Sequence, residues 1–247
     1  KHLTEAMMRC FDIMNKNNSS RYYARIDYVP ASMIEAFVQS TDEGESMFEM
    51  LEHYIVEKKL VDYVYEADNL IELRGNSYHT KRTEINKFIK SYADHRIELL
   101  DSVKHHDEIM HLFNKWVSDR VKYMPKEEAE LFLDGIHQER YAVKRMLKHY
   151  EELQLIGLVI YIDGELKGFT AGERISADTA AVIIEKTDFE VMGCAQFIFR
   201  AFSKMLKEHY GSTYINVGDD MGFENLRKVK MSYRPFKLVA KYTIYQK

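Results

Sequence analysis

The order of periodic segments predicts an α/β chain with a mixed sheet. Three observations carry that expectation. Helical and strand patterns alternate along the whole chain; the apolar period switches from 3.6 to 2 near residue 153; and an Asp-Gly pair sits between two apolar runs at residues 163 and 164. With 247 residues but only 11 glycines and 3 prolines, the chain is poor in breaks and suited to long regular elements. Its 46% hydrophobic content exceeds what disordered chains carry.

From the N-terminus, Leu3, Ala6, Met7, Cys10, Phe11 and Met14 fall at helical spacing and predict a helix over 2–15. A strand is expected over 21–29, a helix over 30–40 with Pro30 in its first turn, a short helix over 43–53 and a strand over 60–65. Residues 74–92 read as a charged helix with Ile85, Phe88, Ile89 and Tyr92 on its apolar face. A strand over 96–100 follows, then a helix over 104–121 and a long helix or broken pair from Pro125 to about 152. The runs 153–162 and 165–174 form a hairpin, and 179–185 reads as a central strand, apolar on both faces. A helix over 193–210, a strand over 214–217, a helix over 222–232 and a strand over 236–245 complete the pattern.

Net charge is −4, so no overall basic field marks a nucleic-acid partner, and any polyanion site must be local. The two cysteines are 184 positions apart and give no disulfide framework or metal pair; His105, His106 and His111 lack metal-ligand spacing, and no metal is expected. The longest apolar run covers ten residues, half a membrane span. With no signal peptide, a reducing cytoplasm is the simplest reading. The chain opens at Lys1 inside a helical pattern, so further sequence upstream is expected.

From residue 94 the element order is β-α-α-β-β-β-α-β-α-β, that of the GNAT acyltransferase fold, and its closing α-β-α-β quartet repeats the quartet that opens the chain. This gives a tandem arrangement with an incomplete first copy: a partial half over 1–72, a charged interdomain helix over 73–93 and a complete domain over 94–247. Three strings go further: Leu73 to Arg82 with Asn86 and Phe88, Val182 to Lys186, and Tyr214 to Gly222 running into Leu226 to Pro235. Together they resemble the phosphatidylglycerol lysyltransferase C-terminal-like family of tandem GNAT-fold proteins. The resemblance implies an aminoacyltransferase-like protein, with aminoacyl-tRNA as donor and an amine or hydroxyl as acceptor. Two departures stand out. Val217-Gly218 replaces the Arg-Glu usual in soluble relatives, and Asp188 to Ala195 lacks the glycine-rich loop that holds coenzyme A, placing Asp188 and Glu190 where they would repel a pyrophosphate. Membrane-spanning sequence is also absent, so a lipid acceptor is not implied.

Acyl transfer needs a base, donors to an oxyanion and an acid for the leaving group. Asp219 and Asp220, between a strand and a helix, suit a base or an anchor for an α-amine, and equally suit capping of that helix. Lys186, expected at a strand end, suits charge neutralisation or a salt bridge to Asp188 or Glu190. Asn216 and Gly218 would position the donor. Arg227 and Lys230 share a helix face fit for phosphate or for solvent. Tyr233 is a candidate acid. Tyr78, His79, Lys81, Arg82 and Asn86 combine an aromatic with cations, as a site for a tRNA acceptor end would, or as any charged helix does. The first reading is an acyltransferase moving an aminoacyl or acyl group from aminoacyl-tRNA or acyl-coenzyme A to a small-molecule or peptide acceptor, with no other cofactor. Its competitor is a non-catalytic protein of the same fold that binds RNA ends.

Overall fold

The computed structural model describes residues 2–20, 23–39, 53–122 and 124–247. The helix expected over 43–53 lies outside them, apart from His53. Two compact units emerge: residues 1–63, 219–230 and 237–247 in the first, 64–218 and 231–236 in the second. These units cut across the boundaries expected from element order, because the final strand and most of the final helix pack with the N-terminal segment.

In the first unit, helix α1 (His2–Asn17) turns Met7 and Phe11 inward. Strand β1 (Arg25–Pro30) pairs antiparallel with the last strand of the chain, β8 (Lys237–Gln246), placing Arg25 opposite Tyr245. A bulge separates Ile26 from Val29, and Tyr28 takes the left-handed conformation there. Pro30 ends β1, which is an edge strand and tolerates the missing N–H; α2 (Ala31–Gln39) begins directly after it. β8 also neighbours β2 (Tyr54–Glu66), longer than the expected 60–65 because its first half is charged and mostly exposed. Phe11 packs at a tilt against Tyr54, and with Ala24, Val29 and Ile244 they contribute to this unit's core.

The second unit begins with the last three residues of β2. The charged stretch expected as one helix over 74–92 is divided: α3 (Ala67–Glu72) ends at Leu73, a 3-10 turn spans Asn76–Tyr78, and α4 covers His79–Ser91. Leu73 and Gly75 both have positive φ and turn the corner between them. Then come β3 (Arg96–Leu99), α5 (His106–Val121), α6 (Lys126–Lys148), β4 (Ile156–Ile162), β5 (Glu165–Arg174), β6 (Thr179–Thr187), α7 (Cys194–Tyr210), β7 (Tyr214–Asn216) and α8 (Glu224–Ser232). The order expected from residue 94 is present, and α6 is a single helix. Asp163 and Gly164, both at positive φ, close the hairpin with Ile162 opposite Glu165.

The strand order in this unit is β2-β7-β6-β5-β4-β3. Every residue of β4 is buried, and its alternation divides the core. Val159 and Tyr161 join Phe113, Val117, Val143 and Leu147 of α5 and α6 on one face. Ile160 and Ile162 meet Phe88 of α4 and Ile198 of α7 on the other. Phe88 is wholly buried, which is worth about 1.5–3 kcal/mol relative to exposure.

Candidate active site

The second unit contains a gap in its sheet. β6 and β7 are parallel and pair only from Thr179, Ala180 and Ala181 to Tyr214, Ile215 and Asn216. There β7 ends, while β6 continues to Thr187. The strand expected over 179–185 is central, between β7 and β5, yet Ile183 in its middle is 52% exposed because β7 has ended beside it. Openings at the carboxyl ends of parallel strands are where α/β proteins place their chemistry.

The C-terminal half of β6 supplies two charged side chains to opposite faces. Ile184 packs with the α5–α6 core, and Lys186 follows it two residues on. Its ammonium lies 3.8 Å from the centre of the Trp116 ring and 2.8 Å from Oε1 of Glu139. Lys186 is the last residue but one of β6, as expected at the strand end, and its partner is Glu139 rather than Asp188 or Glu190. Glu185 faces the other way. Its stem is part-buried, but Oε2 is shut off from solvent and has no hydrogen-bond partner. Burial alone pushes its carboxyl up to about 8. Its charge in turn raises Tyr233 and Cys194. Sequence reasoning did not single out Glu185. The signal was present, since an acid ending the run Ala180 to Ile184 has no structural reason to be there.

Tyr233 stands in an aromatic cage. Its ring meets Phe199 edge-on at 5.2 Å and Tyr65 at 6.3 Å, and its backbone oxygen accepts a hydrogen bond from the Tyr78 hydroxyl at 3.0 Å. Lys81 places its ammonium 4.6 Å from the ring centre. Burial, then the charges of Glu185 and Glu84, raise the phenol above its ordinary value. The corner after α3 presents these groups. Arg82 donates to the carbonyls of Leu73 and Gly75, locking the corner from which Tyr78 and Lys81 project. His79 and Asn86, by contrast, are exposed. The close packing of α4 on the start of α7 requires Gly193: at φ +80°, a Cβ there would lie 2.4 Å from the Glu84 carbonyl oxygen.

Asn216 accepts the Gly218 N–H on its side-chain oxygen at 2.8 Å, and Gly218 takes positive φ, so the two make the turn that ends β7. The loop ahead of α7 is less hostile to anions than its sequence implies. Asp188 is buried and held by Lys115 at 3.0 Å and Lys167 at 3.2 Å, whose charges and the Glu190 N–H keep it below the usual carboxylate range. Of the two acids only Glu190 faces solvent. Lys115 and Lys167 also line an open depression of about 580 Å³ with Asp107, Glu108 and Glu165.

The remaining candidates belong to the first unit. Asp220 is 3% exposed and triply held, by the Tyr63 hydroxyl at 2.6 Å, Arg227 Nε at 2.7 Å and the Gly222 N–H at 3.0 Å. Arg227, then Tyr63, hold its carboxyl far below the carboxylate range. Asp219 takes the Met221 N–H on one oxygen and Lys241 at 2.8 Å on the other. Lys241 also contacts Asp62 at 2.6 Å, and Lys230 donates to the Asp219 backbone oxygen. Burial lowers Lys230. An acid so depressed is a poor proton acceptor at neutral pH, and Arg227 is committed to it. The structure thus sorts the expected site into two groups: Lys186, Asn216, Gly218, Tyr233 and the Tyr78–Asn86 set in one unit, Asp219, Asp220, Arg227 and Lys230 in the other. Among the described residues, no three His, Cys, Asp or Glu side chains are grouped to hold a metal, and no helix is long and apolar enough to cross a membrane.

Comparison with known proteins identifies the fold. A crystal structure of a conserved protein of unknown function from Bacteroides thetaiotaomicron is 25% identical and covers 98% of this chain and 75% of its own, with a TM-score of 0.79. L-PGS from Bacillus licheniformis, 12% identical, gives a TM-score of 0.57 over 95% of this chain and 90% of its own. The C-terminal domain of a lysylphosphatidylglycerol synthetase from Agrobacterium fabrum, also 12% identical, gives 0.56 over 99% and 92%. At such identities those two show a common fold, of GNAT type. An uncharacterized protein of Mycoplasmoides gallisepticum is 24% identical over 192 residues, and the chain spans 58% of its length. The family model described as phosphatidylglycerol lysyltransferase, C-terminal, matches residues 26–245, and the chain belongs to that family.

Proposed function

We propose that this chain is an acyltransferase that moves an aminoacyl group from aminoacyl-tRNA to an amine or hydroxyl acceptor, with acyl-coenzyme A as the other donor to be tested. Family membership supports the class of reaction. The observation that carries the reading is Glu185: a carboxyl at the gap between β6 and β7 whose Oε2 is buried without a hydrogen-bond partner, with its proton affinity raised to about 8. A carboxylate of that basicity suits removal of a proton from an attacking amine or hydroxyl near neutral pH.

In this mechanism Glu185 takes the acceptor's proton as the nucleophile attacks the donor carbonyl. The tetrahedral intermediate collapses, the donor's C–O or C–S bond breaks, and Tyr233 protonates the departing oxygen or sulfur. Glu185 then returns its proton to Tyr233, so no covalent enzyme intermediate forms. Asn216 and Gly218 shape the wall of the gap. Exposed His79 and Asn86, with Lys87 and Lys90 on the same helix, offer a surface to the tRNA acceptor end. Asp219, Asp220, Arg227 and Lys230 serve to hold the loop after β7, and Lys186 holds β6 to α5 and α6.

Radiolabelled lysyl-tRNA, alanyl-tRNA and acetyl-coenzyme A, each offered with a soluble primary amine or with phosphatidylglycerol vesicles, test the donor and acceptor. Transfer from one donor, abolished in Glu185→Gln, is the expected result. Thermal stabilisation measured in parallel separates the competing reading: equal stabilisation by charged and uncharged tRNA, with no transfer from any donor, would replace transfer by RNA binding.

A further inference from the structure

Tyr233 is poorly suited to lose a proton unaided. It is packed between Phe199 and Tyr65, and the acids acting on it are Glu84 of α4 and Glu185 of β6. Burial and the charges of Glu185 and Glu84 disfavour a phenolate. Lys81, in the first turn of α4, has a side chain only 13% exposed, and its ammonium stands 4.6 Å from the Tyr233 ring centre. Glu84 lies 4.0 Å from that ammonium, too far for a good hydrogen bond, and one of its oxygens is buried without a partner. Lys81 is thus directed at the ring rather than consumed by a close ion pair. Tyr78 fixes the other side of the arrangement by donating to the Tyr233 backbone oxygen.

We propose that Lys81 is a positioning residue whose ammonium, held over the Tyr233 ring, stabilises the charge that Tyr233 acquires as it protonates the leaving group. The inference rests on the transfer reading above. In the step concerned, the Tyr233 O–H bond breaks and its electron pair stays on the phenolate oxygen. The proton goes to the departing oxygen or sulfur, and the proton held by Glu185 refills the phenol. A cation near a ring face is favoured by the ring's charge distribution, and more so as that ring gains negative charge.

The test replaces Tyr233 by 3-fluorotyrosine, a more acidic phenol, and follows its titration by fluorine NMR in the full chain. Lys81→Met raises the midpoint by about 0.4–1.5 pH units, and Lys81→Arg restores most of the shift. The rate of transfer, with natural tyrosine and whichever donor is active, falls about 2- to 30-fold in Lys81→Met through kcat, with KM unchanged. Lys204→Met, exposed on α7 beside Glu208, changes neither. A midpoint that stays fixed in Lys81→Met overturns the proposal, as does a moved midpoint with kcat unaltered. Failure of the transfer reading itself looks different: Glu185→Gln retains full activity while the Tyr233 midpoint still follows Lys81. Thermal melting of each variant separates these outcomes from loss of fold.

Discussion

Glu185 and Asp220 are both carboxyl groups withdrawn from water, one in each compact unit, and their surroundings drive them in opposite directions. Asp220 receives an arginine, a tyrosine hydroxyl and a backbone N–H, so its ionised form is favoured and its proton affinity collapses. Glu185 receives nothing at Oε2, so burial alone acts and its proton affinity climbs to about 8. The satisfied acid is a fastener, and the unsatisfied one is the base proposed above. Withdrawal from water, which they share, does not tell them apart; partners do.

The comparison breaks first at Glu185. Glu185→Gln should lower the transfer rate by about 10²–10⁴-fold, the range for loss of a general base. The wild-type rate should rise with pH toward about 8, following ionisation of Glu185, and the variant should lose that limb. Stability moves the other way. The folded-state proton affinity of Glu185 exceeds the unfolded value, so its contribution is complete below about 4.3 and is lost as pH rises toward about 8. Denaturation midpoints recorded across that window should decline in the wild type and stay flatter in Glu185→Gln.

Gly193→Ala sharpens the comparison by damaging only one side of it. A Cβ 2.4 Å from the Glu84 carbonyl, on a backbone at φ +80°, should cost about 2–4 kcal/mol and force α4 from α7. The Asp220 titration, followed by carboxyl carbon NMR, should be unchanged under conditions where the variant remains folded. Asp220→Asn comes next, at about 1–3 kcal/mol, because the Arg227 charge loses its partner. Asp220 has a depressed folded-state value, so its contribution is present above about 3.9 and lost as pH falls below it; the variant should no longer show that acid loss. The smallest effect is expected at Lys228→Ala, whose pair with Glu224 is exposed on both sides, with a melting temperature within about a degree of wild type.

Much of the fold was legible because it is written in local periods. The hairpin at Asp163-Gly164 and the element order from residue 94 need only alternation and turn chemistry, and both are found. The corner at Leu73 was not legible, since leucine at positive φ is held there by Arg82, nine residues away. Partner choice was hidden for the same reason: nothing near Lys186 in sequence points to Glu139, and nothing near Asp220 points to Tyr63. The family could be read from short strings, yet the carboxyl that best suits the chemistry was inside one of them and passed for an ordinary strand residue. Its distinction is a missing hydrogen bond, which is a property of the folded state.

The pairing of β1 with β8 has a consequence for how the chain is made. Arg25 and its partner Tyr245 lie 220 positions apart, so Arg25 leaves the ribosome long before Tyr245 is synthesised. At about 5–20 residues per second, β1 waits on the order of ten seconds or longer for the strand that covers its edge. During that interval α1 and β1 have no β8 to bury against, while the hairpin and the helices around it can already assemble. Production of the protein should therefore gain from chaperone protection of the N-terminal segment during that interval. Any substitution or fusion that hinders β8 should harm β1.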